Sequence, residues 1–249
     1  MKIYDKSRFD VLPGAILFDT DNTLYSYEPA HRAALNAVRR KVVSRFGVSA
    51  TDFDRVFSEA RTQVKRCLGN TAASHNRLIY MQRTLELFGL GSQVLVALDL
   101  EQTYWREFLT EADLFDGVIE LLDDLRLLGI PLAIVTDLTA QIQFRKIVYF
   151  GLENYFDFVV TSEEAGEDKP GSAPFRLAVD KIGKGNEPVW MIGDNPVADI
   201  LGGKMHINAV VIQKLHAGVS EGVAESKPDA IFKEFDEIRA LVARLSQLD

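Results

Sequence analysis

The ten residues Ala15–Leu24, Ala-Ile-Leu-Phe-Asp-Thr-Asp-Asn-Thr-Leu, constrain this chain more than any other stretch. Ala15 to Phe18 form a short apolar run that reads as a buried strand. The run stops at Asp19-Thr20-Asp21-Asn22-Thr23, a turn-forming cluster full of hydrogen-bonding groups. Two carboxylates two residues apart, at the end of a buried strand, repel each other and favour a shared proton or cation. A hard divalent cation with oxygen ligands resolves that conflict. Taken alone, the pair also suits an ordinary Asx-type turn, so the rest of the chain decides.

From Pro29 to about Glu111 the pattern is helical. Ala33, Val38, Val42, Val43 and Phe46 recur at helical spacing ahead of Gly47, and Phe53, Val56, Phe57 and Ala60 mark a second helix capped by Thr51 or Asp52. Arg77–Phe88 and Leu95–Leu109 read as a third and a fourth. Afterwards short apolar strands alternate with helices. The pattern predicts helices at Val118–Leu128, Gln141–Phe150, Phe175–Ile182, Pro196–Met205 and Phe235–Leu248. Between them it predicts strands at Leu132–Thr136, Phe156–Thr161, Val189–Ile192 and Asn208–Ile212, with a Gly-Lys-Gly-Asn loop after Ile182. Such alternation predicts an α/β fold, a parallel sheet with helices on both faces. The first strand most simply joins that sheet, so the helical stretch is an insertion forming its own small domain.

The chain has 249 residues, 47% of them hydrophobic, enough for one large domain or two small ones with a true core. Its 28 basic and 36 acidic side chains leave a net charge of −8. That surface disfavours nucleic acid and anionic membranes as general partners, and a small anionic ligand needs a local positive site. Cys67 is the single cysteine; it reads as a packing residue, allows no intrachain disulfide and fits a reducing, cytoplasmic setting. The first ten residues are charged and lack an apolar signal core, and no apolar run approaches a membrane span. His31, His75, His206 and His216 show no zinc spacing, and no glycine-rich nucleotide loop is present.

Polar residues gather where the predicted strands end. Asp19 and Asp21 follow the first, Thr136 and Asp137 the second, and Asp194 with Asp199 the one at Val189–Ile192. The charged loop Glu163–Lys169 follows the strand that ends at Thr161. In an open α/β sheet, ligands bind outside the carboxyl ends of the strands. One crevice thus collects several carboxylates, a hydroxyl and a lysine, a set that suits a magnesium ion shared with a substrate phosphate. Each residue also has a plainer reading: Asp194 as a turn residue, Thr136 as a strand end, Lys169 and Asp199 as solvated charges.

Asp19-Thr20-Asp21-Asn22-Thr23, Thr136, Lys169-Pro170 and Gly193-Asp194-Asn195-Pro196-Val197-Ala198-Asp199 occur in this order. Together they resemble the four motifs of the haloacid dehalogenase superfamily, over about Ala15 to Ile212. The helical insertion resembles its C1 cap, closest in look to phosphoglycolate-phosphatase-like and acylneuraminate-phosphatase-like hydrolases. The resemblance implies a Rossmann-like core from residues 1–28 and 113–249, and a cap at 29–112 that selects the leaving group. It implies a magnesium-dependent phosphatase that hydrolyses a small phosphate monoester through an aspartyl phosphate. Asp19 would be the nucleophile and Asp21 the general acid and base, while Thr136 and Lys169 hold the phosphoryl oxygens. Asp19, Asp194 and the backbone carbonyl of Asp21 would bind the metal, and Asp199 would orient Lys169 or a metal-bound water.

Asp21 also discriminates within the superfamily, because the dehalogenases and the phosphonate-cleaving members lack an aspartate there. Lys41 and Lys65, each beside an arginine, read as solvated surface. One residue departs from the pattern: Asp137 stands where relatives often carry Asn. It can point away from the substrate, bind a helix N-terminus, or select a cationic or hydroxyl-rich leaving group. The polar cluster Gly69–Tyr80 either caps the following helix or turns His75 and Arg77 toward substrate. Tyr25 and Tyr27 either line the entrance or pack the two domains together. Rival readings are a phosphomutase of the same architecture and a non-catalytic binding scaffold. The expected partner is a small phosphorylated metabolite, and the expected assembly a monomer or homodimer.

Overall fold

A computed structural model of the chain describes residues 1–183 and 185–247. Lys184 of the expected Gly-Lys-Gly-Asn loop, and the expected helix end at Leu248, lie outside the described residues. The chain divides into two compact units, one of Met1–Ser26 with the segment from Asp113 onward, the other of Tyr27–Ala112.

The first unit is built on seven strands: β1 (Lys2–Ile3), β2 (Ala15–Phe18), β3 (Leu132–Thr136), β4 (Phe158–Thr161), β5 (Val189–Gly193), β6 (Val210–Lys214) and β7 (Ala230–Phe232). Their order in the sheet is β1-β7-β6-β5-β2-β3-β4. All neighbours pair in parallel except the short edge strand β1, which runs antiparallel to β7. β2 is central, with Leu17 opposite Ala133 on one side and Met191 on the other. All four of its residues are buried, as a strand covered on both faces requires. Leu17, Val135, Val160, Met191 and Val211 pack with Phe175 and Ala178 of a helix on one face. The chain builds outward from β2 through β3 to β4, then returns to lay β5, β6 and β7 on the other side. That reversal is a topological switch point, and the crevice it opens lies beyond the carboxyl end of β2.

The helical unit contains α1 (Tyr27–Phe46), α2 (Ala50–Leu68), α3 (Arg77–Leu87) and α4 (Val94–Thr110). α1 packs on α4 and α2 on α3, around Phe53, Phe57, Tyr80, Tyr104, Trp105 and Phe108. Ser49 caps α2 by accepting from the Asp52 N–H, and Asn76 caps α3 by accepting from the Leu78 and Ile79 N–H groups. The core helices are α5 (Val118–Leu127), α6 (Ala140–Tyr149), the single turn α7 (Ser162–Ala165), α8 (Ser172–Ile182), α9 (Gly202–Ile207) and α10 (Phe235–Leu245).

Several expectations shift. The helix expected at Pro196–Met205 divides into a π-helical turn, Pro196–Leu201, and α9. The strand expected at Asn208–Ile212 starts two residues later, because Asn208 takes a left-handed conformation at φ 51° to end α9. It then runs on through Gln213 and Lys214, both buried. β1 and β7 have too few residues to show a period. The loop expected at Glu163–Lys169 begins inside α7. Among the described residues, no helix is long and apolar enough to cross a membrane.

Candidate active site

The carboxyl ends of β2, β3 and β5 and the segment that follows β4 bring Asp19, Thr136, Asp194 and Lys169 to one end of the sheet. The Asp19 N–H donates to the Ile192 carbonyl at 2.9 Å, extending the β2–β5 ladder by one bond and fixing the residue's backbone. Its carboxylate accepts from Lys169 Nζ at 2.7 Å and from the Thr23 hydroxyl at 2.9 Å. Lys169 is buried and donates again to Asp199 Oδ1 at 2.7 Å and to the Val135 carbonyl at 2.9 Å. Its three donors are thus fully used. Asp199, on the π-helical turn, also accepts from the Asn195 N–H through Oδ2 at 3.0 Å. Gly193 permits that approach, because a Cβ there would lie 2.4 Å from Asp199 Oδ2.

Charge dominates this cluster. Burial works against the Lys169 cation, yet Asp19, Asp199 and Asp137 raise its pKa well above the ordinary lysine value. Burial, opposed by Lys169 and reinforced by Asp199 and Asp21, pushes the Asp19 carboxyl up to about 7. Burial and the charges of Asp19 and Asp199 push Asp194 up to about 8. Asp19, Asp194 and Asp199 bring ligand oxygens within 4.8 Å of one another. Fully ionised, these three carboxylates exceed the single Lys169 cation by two negative charges, an excess that protons on Asp19 and Asp194 relieve when no cation is bound. The donors are all oxygen, and the Asp194 carboxylate accepts no hydrogen bond among the described residues. An oxygen-seeking divalent cation fits this set. Because Asp199 is committed to Lys169 and the Asn195 N–H, Asp19 and Asp194 are the better-placed side-chain ligands.

Asp21 points elsewhere than Asp19. Lys146 Nζ donates to both its carboxylate oxygens, at 2.7 and 3.0 Å, and the Tyr25 hydroxyl donates to Oδ1. The Thr136 hydroxyl sits 2.9 Å from that of Thr20 and accepts from Gln143 Nε2, also at 2.9 Å. Asp137 turns its Oδ1 to the Lys169 backbone N–H at 2.9 Å, and its carbonyl accepts from Gln143. Burial, opposed by the Lys169 charge and N–H, raises the Asp137 pKa. The next residue, Leu138, is buried with φ 89°; a large side chain there marks a strained corner held by its surroundings, here Ser162 Oγ on the Leu138 N–H at 3.0 Å.

Lys146 and Gln143 escape the sequence reading, and Tyr25 enters it only as lining the entrance or packing the two domains, not as a partner of Asp21. Lys146 and Gln143 share a helical face with Ile142 and Ile147, and that shared face is the signal that was available. His75 and Arg77 belong to the helical unit. His75 ends the short helical turn Ala72–His75, and Arg77 is buried, donating to the His75 carbonyl at 2.5 Å and to the Tyr27 hydroxyl. The Arg77 guanidinium lies 5.3–5.6 Å from the ring centres of Tyr80, Tyr104 and Trp105. These contacts make it a packing element of that unit. Tyr27 packs there too, whereas Tyr25 packs on Phe150 in the core unit. Lys41, expected as solvated surface, is partly exposed and pairs with Asp99 at 2.6 Å.

Fold and cluster together define a doubly wound α/β protein with an acidic, lysine-bridged site at its switch point. The chain belongs to the haloacid dehalogenase-like hydrolases, whose family model matches residues 13–206. It is 39% identical over 189 residues, 76% of this chain and 79% of the other, to a ribulose-1,5-bisphosphate 5-phosphatase of Halopiger xanaduensis. It is 27% identical over 248 residues, 90% of this chain and 96% of the other, to a phosphoserine phosphatase of Thermus thermophilus. A 2-haloacid dehalogenase structure from Pseudomonas syringae superposes with a TM-score of 0.73 at 22% identity, covering 94% of this chain and 99% of that one. That likeness shows the shared fold.

Two outcomes follow from the electrostatics and hydrogen bonds. With Asp19 and Asp194 raised, the metal-free folded chain binds more protons than the unfolded chain between about pH 4 and pH 8. Stability from this cluster therefore falls as pH rises through that window. In chelator, the Tm advantage of Asp194→Asn over wild type should widen from pH 5 to pH 8; a constant difference contradicts the charge account. At Asp137, the Asn variant keeps an acceptor for the Lys169 N–H and the Ala variant does not. Asp137→Ala should lower kcat/KM about 10-fold or more, while Asp137→Asn stays within a few-fold of wild type. Equal losses would show that the charge, not the acceptor, matters.

Proposed function

We propose that the chain is a magnesium-dependent phosphatase that hydrolyses a small phosphate monoester through a phosphorylated Asp19. The observation that carries this reading is the Lys169 bridge between Asp19 and Asp199 beside the unbonded Asp194 carboxylate. It leaves a buried nucleophile next to an anion-binding cation and a cation-binding carboxylate. Membership of a hydrolase family and the named phosphatases among the relatives support it.

In this reading an Asp19 carboxylate oxygen attacks phosphorus as the bond from phosphorus to the alcohol oxygen breaks. The departing oxygen takes a proton from the Asp21 carboxyl. Water then attacks the same phosphorus, its proton passes to Asp21, and the bond to Asp19 breaks to release phosphate. With phosphate bound, Lys169 exchanges its bond to Asp19 for a phosphoryl oxygen while keeping those to Asp199 and the Val135 carbonyl, the Thr136 hydroxyl holds a second oxygen, and Asp137 fixes the Lys169 loop through its backbone N–H. Magnesium, held by Asp19, Asp194 and the Asp21 carbonyl, would offset the repulsion between carboxylate and phosphate. We assign the choice of leaving group to the helical unit, Tyr27–Ala112, with His75, at the end of its short helical turn, as the residue to probe.

Phosphate release should be measured from a panel of sugar, nucleotide and small-acid monophosphates, with 4-nitrophenyl phosphate as reference. Activity should require magnesium, and Asp19→Asn should lower kcat by about 10⁴-fold or more. Turnover that persists in chelator or in Asp19→Asn would refute the reading.

A further inference from the structure

Asp21 lies on a solvent-facing turn, with about a quarter of its side chain exposed. It is two residues from Asp19, close to a lysine and to the acidic cluster. A short carboxylate in such a field has several partners to choose from, and proton transfer requires that it be held in one place. The structure supplies the hold. Lys146 is 2% exposed, and its ammonium bonds both oxygens of Asp21. The Tyr25 hydroxyl bonds Oδ1, and the Thr20 hydroxyl lies 3.3 Å from the same atom. Both clamping groups are themselves fixed. The Tyr25 ring is buried, packs on Phe150 with centroids 5.0 Å apart, and lies 5.7 Å from Lys146 Nζ.

The helix that presents Lys146 is mixed in its amphipathicity, with two polar and two apolar side chains on its buried face. α6 buries Ile142, Gln143, Lys146 and Ile147 and leaves Phe144, Val148 and Tyr149 at least half exposed. Burying a lysine and a glutamine while exposing three apolar side chains opposes the hydrophobic pattern. A purely structural ion pair at this depth gains little over a well-packed apolar pair, so stability does not account for the arrangement. Both buried polar groups reach reaction motifs instead: Gln143 holds Thr136 and the Asp137 carbonyl, and Lys146, one turn later, holds Asp21.

We propose that Lys146, with Tyr25, is the positioning residue of the acid–base step, holding the Asp21 carboxylate where it can serve first the departing oxygen and then the attacking water. The proposal rests on the assignment of Asp21 as proton donor and acceptor. It places no new group on the substrate: Lys146 acts through Asp21 alone. It also makes α6 the common support of two motifs far apart in sequence, since a shift of this helix moves the phosphoryl-binding hydroxyl and the acid–base carboxylate together.

The test is leaving-group dependence. kcat/KM covers the steps through departure of the alcohol, and an alkyl oxygen needs a proton there while 4-nitrophenolate does not. Lys146→Met keeps an unbranched apolar stem as far as Cε and removes the ammonium. It should lower kcat/KM for the best alkyl phosphate of the panel by about 100-fold, in the range of general acid catalysis, and that for 4-nitrophenyl phosphate by less than about 10-fold. Asp21→Asn should show the same selectivity, and adding Lys146→Met to Asp21→Asn should cause no further loss, since the two act as a unit. With 4-nitrophenyl phosphate, Lys146→Met should also release a burst of nitrophenol, because water attack now lacks a positioned base. Tyr25→Phe leaves the packed ring in place and should give a smaller loss with the same alkyl preference. Equal losses on both substrates, or additive effects with Asp21→Asn, would overturn the proposal and leave Lys146 a structural ion pair. Absence of Asp19-dependent hydrolysis by the wild-type chain would overturn the phosphatase reading and this proposal with it.

Discussion

Lys169 holds together charges that would otherwise drive each other apart. Three carboxylates converge at the switch point because the ends of β2 and β5 and a π-helical turn converge there, and one ammonium bonds two of them and a backbone carbonyl. Removing one partner of such a buried pair leaves an uncompensated charge, which costs several kcal/mol, roughly 3–5. Much of the surrounding structure serves this contact. Asp137 anchors the backbone of Lys169, Asn195 holds the second oxygen of Asp199, and Gly193 leaves the room that Asp199 needs. The residual negative charge is a ground-state cost that a divalent cation and a phosphoryl group can relieve, so the site is organised for binding before either arrives.

The same principle divides the acidic groups into two electrostatic compartments. Asp19, Asp194 and Asp199 share Lys169, whereas Asp21 has its own cation in Lys146. Two carboxylates two residues apart can therefore carry different tasks, because each is referred to a different lysine. The turn that separates them is short and fixed at both ends: the Asp19 N–H is tied to β5, and the Thr23 and Leu24 N–H groups donate to the Thr20 carbonyl. Asn22 supplies the left-handed residue, at φ 65°, that lets the chain reverse within it.

The fold was legible wherever an element carried a period long enough to read. β2 and β3 are buried throughout and β5 from Trp190 onward, and α1 to α4 show apolar residues at helical spacing. The motif residues were legible too, since carboxylates at the ends of such strands have few structural reasons to be there. Three features were hidden for physical reasons. β1 and β7 are held by pairing with neighbours rather than by any pattern of their own. The Pro196–Leu201 segment looks like an ordinary helix start, but it winds as a π-helical turn, and Asp199 on that turn bonds Lys169 and the Asn195 N–H. Lys146 and Gln143 were hidden because the buried face of α6 is mixed: they share it with Ile142 and Ile147, while Phe144, Val148 and Tyr149 lie on the exposed side with Gln141 and Arg145. A lysine and a glutamine on the same buried face as two isoleucines are the sign to look for. Arg77 shows the converse, a charged residue in a polar stretch that is absorbed by aromatic packing.

The central claim is that phosphorus becomes covalently attached to Asp19. The most direct measurement is to quench the enzyme in acid during turnover, reduce it with borohydride, which converts an acyl phosphate of aspartate to homoserine, and map the product by peptide mass spectrometry. The account predicts homoserine at position 19 and at no other aspartate, dependent on both substrate and magnesium. Reduction at Asp21 or Asp194, or no reduced aspartate under conditions of active turnover, would contradict it.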